Sequence, residues 1–553
     1  MKLKKLLALL LTVVLLVASS VVALPVNAGE GDAKWGDTGY YESLTYNSTY
    51  GYSGGAGTKE SPYEIATAED LAQLAANCNK WTSEDTTNKY GYSNAKYFKL
   101  TADIDLKNVA WPGIGAWGGG SANYWFKGNF DGNGYVIKNL KIEESATAQS
   151  SYGFFGGALN ATISNVGIIS GSVNVTSTAA TYLGSLVGVA KSNLTVNNCY
   201  SFIDMTYSSS AAVVHSVGGL VGFYLQQDNI VFTNCLYAGD ITVSAVGDTK
   251  PTIRVGGILG TLNSPTTTDF TMTLTMSNCT ASTNIVSDAV NYASGGNWDS
   301  ALGLLVGAMI SNKDDTASAT INDCYATGTI AAINARGDSF RMGVIGVVYG
   351  GVAVNRQGNA SDGYTFTSTG NFAKYTRTKQ QATDATPVTK SSLIIGQSTN
   401  TNYANGSLGF TSNTAKNVDI SALNLLKGVG AQKRTVTVDE NDYFGVRFVG
   451  ELLVEDYSNF ASVGVMVTIK YGDTTVTDYK LSSKSLYKSL NPEITPEKGY
   501  LIAGGIYDVP NGAEDTVTFT FKPYVELADG TVCYGATSQE YTFTAGEQVI
   551  AQS

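Results

Sequence analysis

One short pattern constrains this chain more than any other feature: an aliphatic residue and a glycine, more aliphatics, then a closing glycine. It reads "LGSLVG" ending at Gly188, "VGGLVG" at Gly222, "VGGILG" at Gly260, "LGLLVG" at Gly307 and "MGVIG" at Gly346, with a related "YGFFG" ending at Gly156. A second motif follows the earlier ones, as "VNNCYS" around Cys199, "FTNCLY" around Cys235, "MSNCTA" around Cys279 and "INDCYA" around Cys324. The closing glycines at 156, 188, 222, 260, 307 and 346 lie 32, 34, 38, 47 and 39 residues apart. A constant core with variable spacing means one structural turn per repeat, with insertions in loops. No such unit can bury its own apolar face, so neighbours must stack.

The kind of stack follows from the residues. The segments are β-branched and punctuated by glycine, and they lack the 3.6-residue period of a helical solenoid. A propeller would need about four strands per ~40 residues and a Trp-Asp signature that is absent. A parallel β-helix fits, with the Gly-Leu-Val-Gly segment as corner plus strand and the Asn-Cys segment as the next wall. Glycine at the corner would serve a left-handed φ or a close backbone approach. Cysteine should then stack over cysteine, buried as thiols rather than bridged, and asparagine over asparagine in a hydrogen-bonded ladder.

Before the repeats comes one helix signal. Thr67 can cap, Asp70 stands three residues on, and Leu71, Leu74 and Ala75 share a face, which predicts a helix over 68–79. A stack has bare ends that need covering, and this helix is placed to close the N-terminal one. Residues 29–54, rich in tyrosine and glycine, read as an irregular lead. The segments "KYFKLTADIDL" and "GNFDGNGYVIKNLKI" then alternate apolar and polar residues around Asp-Gly-Asn-Gly turn chemistry.

The repeats resemble the GLUG repeat of bacterial secreted and surface proteins, on "VGGLVGFYLQQDNIVFTNCLYAGDITV" and "LGLLVGA…INDCYATGTI". The lead-in "GTKESPYEIATAEDLAQLAANCN…KYFKLTADIDL…WPGIGAW…FKGNFDGNGYVIKNLKI" is similar to the segment preceding such repeats, so the resemblance covers residues 55 to about 350. It implies a right-handed parallel β-helix with extracellular, often adhesive roles, and it brings no catalytic residues. The unit closing at Gly346 departs from the pattern, because no Asn-Cys strand follows it. The solenoid is therefore expected to span 55–375.

Residues 376–430 are rich in Thr, Asn and Ser and read as a linker with short ordered pieces. From 431 to 553, alternating strands separated by Gly-Asp, Asp-Gly and Pro turns predict an antiparallel β-sandwich. Its segments "GAQKRTVTVDENDYFGVRFVGEL" and "FKPYVELADGTVCYG" are similar to a C-terminal module of secreted Firmicutes proteins. The N-terminus carries Lys2, Lys4 and Lys5, an apolar run from Leu6 to Ala18 and a small-residue "VNA" ending at Ala28, the layout of a signal peptide over residues 1–28. The apolar run falls short of the ~20 residues a spanning helix needs.

The formal net charge is −11, and loss of the three lysines before residue 29 makes it −14. Such a chain is a poor partner for nucleic acid or an anionic membrane. Charged residues make up only 15%, leaving an amide- and hydroxyl-rich surface. No Cys-x-x-Cys pair is present and His215 is the one histidine, so neither a metal nor a cofactor is expected.

Catalysis has few footholds. Asp103, Asp105 and Asp131 are carboxylates that a glycosidase could use, but they stand where aspartate bonds its own backbone in strands and turns. A lyase could use Arg254, Arg336 or Arg341 with Asp314, Asp315 and Asp323, yet these recur in no cluster. His215 in "AAVVHSVGG" reads as a structural histidine. Exposed tyrosines, 33 in the chain, could stack against sugars, in "YYESLTYNSTYGY" or in "NYASGGNW" of the 260–307 insertion. The reading is a secreted, monomeric, non-catalytic adhesive or structural protein for a polysaccharide or surface-protein partner, against a polysaccharide lyase or glycoside hydrolase as the alternative. No catalytic, cofactor-binding or metal-binding residue is assigned.

Overall fold

A computed structural model describes residues 33–81, 91–118, 124–225, 228–247, 251–263, 271–288, 300–312, 316–335, 342–352 and, beyond 364, separate stretches up to 544. Residues 1–28, read above as a signal peptide, lie outside the described residues. The protein is mostly β, with parallel sheets from the lead-in through all the repeats.

Each repeat lies directly on the next. Val187–Asn197 pairs in parallel with Phe155–Ser164 on one side, and with Val221–Leu225 and Asp228–Thr233 on the other. Asp228–Thr233 continues to Thr271–Ser277, and that strand to Thr316–Asn322. A second parallel sheet takes the other half of each repeat, through Gly171–Ser177, Met205–Ser209, Ile241–Ala245 and Thr280–Ser287. Equivalent residues therefore align: Ile163, Val196, Phe232, Met276 and Ile321 form one inward column, every member buried. Strand alternation puts every second side chain in this core and the others outside.

The two repeated motifs are the corners. In the Asn-Cys corner, Asn165, Asn198, Asn234 and Asn278 have φ of 56°, 52°, 52° and 52°, and Asp323 has 51°. Asn and Asp tolerate this left-handed region better than other non-glycine residues. The cysteine that follows turns inward, and its thiol donates to the carbonyl two residues back, Asn197 O at 3.2 Å for Cys199 and Thr233 O at 3.3 Å for Cys235. All six cysteines are buried free thiols. Burial pushes the Cys199 thiol up to about 12.

The glycine corner works by close approach, not by unusual φ. None of Gly188, Gly222, Gly260, Gly307 or Gly346 is among the positive-φ glycines. A Cβ on Gly222 would stand 2.6 Å from the carbonyl oxygens of both Gly188 and Leu183, and one on Gly218 would collide with the Val221 carbonyl. Stacked corners bring backbone onto backbone, leaving no room for a side chain. The aliphatics between the glycines, such as Leu186, Leu220 and Ile258, are buried in the core.

The helix runs Ala68–Asn79, with Thr67 Oγ1 accepting from the Asp70 amide at 3.1 Å. Leu71, Leu74 and Ala75 are buried in the same core as the repeats. Asp70 accepts from Ser53 Oγ at 2.6 Å, Ala66 N at 3.1 Å and Tyr50 Oη at 3.2 Å, tying the lead to the helix.

Parallel pairing continues into the stretch read as a linker. Met342–Val352 pairs with Ile395–Ser398, and Asn371–Gln381 with Phe410–Thr411. Backbone hydrogen bonding sustains the ladder after the Asn-Cys motif has lapsed. The terminal region forms two sheets. Leu426–Val438, Asn441–Leu452 and Tyr500–Tyr507 make one, antiparallel throughout. Phe460–Tyr471, Thr474–Ser482, Thr516–Leu527, Val532–Tyr534 and Tyr541–Thr544 make the other, with Asn417–Asp419 added in parallel. Phe448 of the first meets Phe519 and Phe521 of the second, with ring centroids 5.4 Å apart in each pair. These sheets also rest on the stack: Tyr200, Leu236 and Tyr325 share a buried cluster with Leu426, Leu452, Val463 and Val525.

Candidate functional site

The carboxylates singled out in the sequence are each engaged by neighbouring strands and turns. Asp103 accepts from Val136 N at 3.2 Å and stands 3.7 Å from the Lys138 ammonium. Asp105 accepts from Lys107 N at 2.7 Å and Asn139 Nδ2 at 2.9 Å. Asp131 lies in the other sheet and accepts from Asn133 N and Asn165 Nδ2, both at 2.7 Å. Each is a turn or ladder acceptor: Asp105 and Asp131 take both bonds on Oδ1, and Asp103 takes one on Oδ1 with Lys138 beside Oδ2.

His215 is fully enclosed. Its Nδ1 accepts from Thr181 N at 3.3 Å and lies 2.6 Å from Tyr207 Oη, while Nε2 lies 2.9 Å from Ser209 Oγ and 3.3 Å from the Ala211 carbonyl. An amide donor on Nδ1 places the imidazole proton on Nε2. Burial lowers its pKa from 6.5 to about 4, so the ring is neutral at physiological pH. It is a core cross-link between two walls.

Arg254 is buried in the strand Thr252–Gly256, at the register position of Ser216 and Ala301, whereas Asp323 is exposed at an Asn-Cys-type corner. Asp314, Asp315, Arg336 and Arg341 lie outside the described residues, as does the "NYASGGNW" segment. Among the described residues, no group of three or more His, Cys, Asp or Glu could hold a metal. No described helix is long and apolar enough to cross a membrane.

Of the lead tyrosines, Tyr52 is buried, while Tyr40, Tyr41, Tyr46 and Tyr50 are half-buried against the same core. Tyr50 and Tyr52 meet edge-on at 4.9 Å, Tyr52 and Tyr63 lie 4.8 Å apart, and the Tyr52 and Tyr92 hydroxyls are 3.0 Å apart. They seal the helix against the first strands. Sequence reasoning passed over a different aromatic group, in a small cluster apart from the main core where Tyr182 and Phe223 are buried and Trp117 is half-buried. Trp117 lies 5.3 Å from Tyr182, which stacks on Phe223 at 4.3 Å across adjacent repeats.

It also passed over a regular polar surface. On the wall preceding the Asn-Cys corners, the outward positions fall into three columns by strand register. The central column is Thr162, Thr195, Val231, Thr275 and Thr320. The column on the corner side is Ser164, Asn197, Thr233, Ser277 and Asn322. On the other side, Asn193 Oδ1 accepts from Asn229 N at 3.3 Å, and Thr273 and Ser318 follow. These side chains are partly or fully exposed, and none of them ionises. Adjacent rungs stand about 4.8 Å apart, and successive outward positions along a strand about 6.6 Å. The signal was present as "NATISN", "NLTVNN", "NIVFTN", "TLTMSN" and "SATIND", visible once the repeats are aligned on their corners.

No protein-family model matches the chain. Halomucin of Haloquadratum walsbyi is 32% identical to it over 158 residues, 24% of this chain, and the match spans only 2% of that protein's length. A Bacteroides ovatus crystal structure assigned as a candidate immunoglobulin A1 protease is 22% identical and covers 50% of this chain and 78% of its own. Its TM-score of 0.29 is too low to bear on fold or chemistry.

Proposed function

We propose that the chain is an exported, non-catalytic structural or adhesive protein, a right-handed parallel β-helix of the GLUG-repeat kind. In this reading residues 1–28 are a signal peptide, the helix Ala68–Asn79 caps the first rung, and the terminal sheets form a β-sandwich seated on the solenoid. The rigid surface is presented to a glycan or protein partner outside the cell.

One observation carries the reading. Four groups singled out as candidates for chemistry, Asp103, Asp105, Asp131 and His215, are held by bonds within or between strands. A general acid or base must be free to reach a substrate proton. These are engaged in the fold itself, while the outward surface repeats hydroxyls and amides.

The test uses purified residues 29–553 against plant, host and microbial polysaccharides, recording retention and the appearance of new reducing or unsaturated ends. Retention without new ends supports the reading. New ends would overturn it in favour of a polysaccharide lyase or glycoside hydrolase.

A further inference from the structure

We infer that the uncharged wall formed by Asp228–Thr233, Thr271–Ser277 and the second halves of Phe155–Ser164 and Val187–Asn197 is the docking surface, and that its occupant is a neutral, extended polysaccharide. This rests on the adhesive reading and gives it a place and a ligand class.

Charge singles out this wall. The chain is acidic overall, and beside the second sheet Asp204 and Asp240 are exposed on the same rungs as this wall. Asp240 N donates to Asp204 Oδ1 at 2.7 Å, so two carboxylates stack on successive rungs there. By contrast, the three columns hold no ionisable side chain from Thr162 to Thr320, and charge resumes on the corner side only one rung before, at Asp131. An anionic polymer would meet the repulsion of the whole chain, and a cationic one would find no partner on this wall. A neutral polyol suits both facts.

Geometry supplies the rest. An extended β-linked pyranose chain lying along the stack crosses successive rungs at the ~4.8 Å pitch of the ladder. Each rung then offers a central hydroxyl flanked by an amide or second hydroxyl, and such groups both donate and accept. The wall is rigid before binding, because its inward column is core and its strands are paired on both sides, which lowers the ordering cost of association. From Thr162 to Thr320, Val231 is the one central position without a hydroxyl.

The experiment compares full-length mature protein with three variants on the neutral polysaccharides of the retention panel. Thr195→Glu with Thr275→Glu places charge and bulk on the wall and should reduce retention at least tenfold. Val231→Thr completes the central column and should raise retention two- to threefold, an effect that misfolding could not produce. Thr206→Glu with Thr242→Glu, on the opposite sheet, should leave retention unchanged. Equal retention of all variants would overturn the placement while leaving the adhesive reading intact. Retention confined to charged polymers would overturn the ligand class. Adsorption to ice crystals without retention on any polysaccharide would overturn it as well, assigning the lattice to ordered water. Failure to bind any polysaccharide would overturn the inference together with the glycan form of the adhesive reading.

Discussion

Asn234 donates from Nδ2 to Asn198 Oδ1, one rung away, at 2.9 Å, and accepts from Asn278 Nδ2 at the same distance. Asn198 in turn donates to Asn165 and Asn165 to Asp131, which only accepts and so suits the end of the ladder. Each asparagine also holds a left-handed φ, so one residue type serves the turn and the vertical bond together.

Asn234→Ala therefore loses two ladder bonds of about 1 kcal/mol each. It also places a Cβ residue at φ 52°, which costs about another 1 kcal/mol. Asn234→Gly loses the bonds but not the backbone fit. Thermal unfolding should rank wild type above Asn234→Gly and Asn234→Gly above Asn234→Ala. Equal midpoints for the two variants would remove the role assigned to φ.

Gly222→Ala should be far more damaging than Gly247→Ala. At Gly222 the new Cβ meets backbone oxygens at 2.6 Å that no rotamer change can move, whereas at Gly247 nothing lies within 4 Å. Overpacking against fixed atoms costs about 3 kcal/mol, against about 1 kcal/mol for the strained φ of 68° at Gly247. Urea midpoints of the two variants measure the difference.

Acid should weaken the fold through His215. Its folded pKa of about 4 lies below the unfolded 6.5, so the unfolded chain binds the proton more readily. Stability is full above pH 6.5 and falls as the pH drops towards 4. At 1.36 kcal/mol per unit the loss is about 3 kcal/mol. His215→Gln should flatten the stability profile over that window. A variant as acid-sensitive there as wild type would exclude His215 as the cause.

Thiol reagents should find nothing to react with in the native protein. Cys199 and Cys235 are held far from ionisation by burial, and the thiolate is the reactive form. Six equivalents should appear only on denaturation, matching the cysteine count. Rapid labelling of any thiol under native conditions would contradict the buried ladder.

Leu236→Asp should loosen the terminal sheets from the stack. Leu236 is buried against Leu426, Leu452 and Val525, and a carboxylate there has no partner. Hydrogen exchange should accelerate in Phe460–Tyr471 and Thr516–Leu527, with Val187–Asn197 still protected. Unchanged exchange in the terminal sheets would show that this contact does not hold them.

By itself the sequence determined the unit of the fold. A repeated Gly-aliphatic-Gly and Asn-Cys pattern can satisfy its buried faces only by stacking, and Thr67 with the spacing of Leu71 and Leu74 determined the helix, because caps and periodicity are local. The tertiary structure decided what depends on register between distant segments. It assigned the corner glycines to backbone contact rather than to left-handed φ, which only a neighbouring rung can enforce. It turned Tyr52 of the lead inward, because Tyr52, Tyr63 and Phe98 come together only when the lead folds onto the first strands. It seated the terminal sheets on Tyr200, Leu236 and Tyr325 and carried parallel pairing past residue 375. It also gathered threonines more than thirty residues apart in sequence into one uncharged column, since a single strand shows only one member of each.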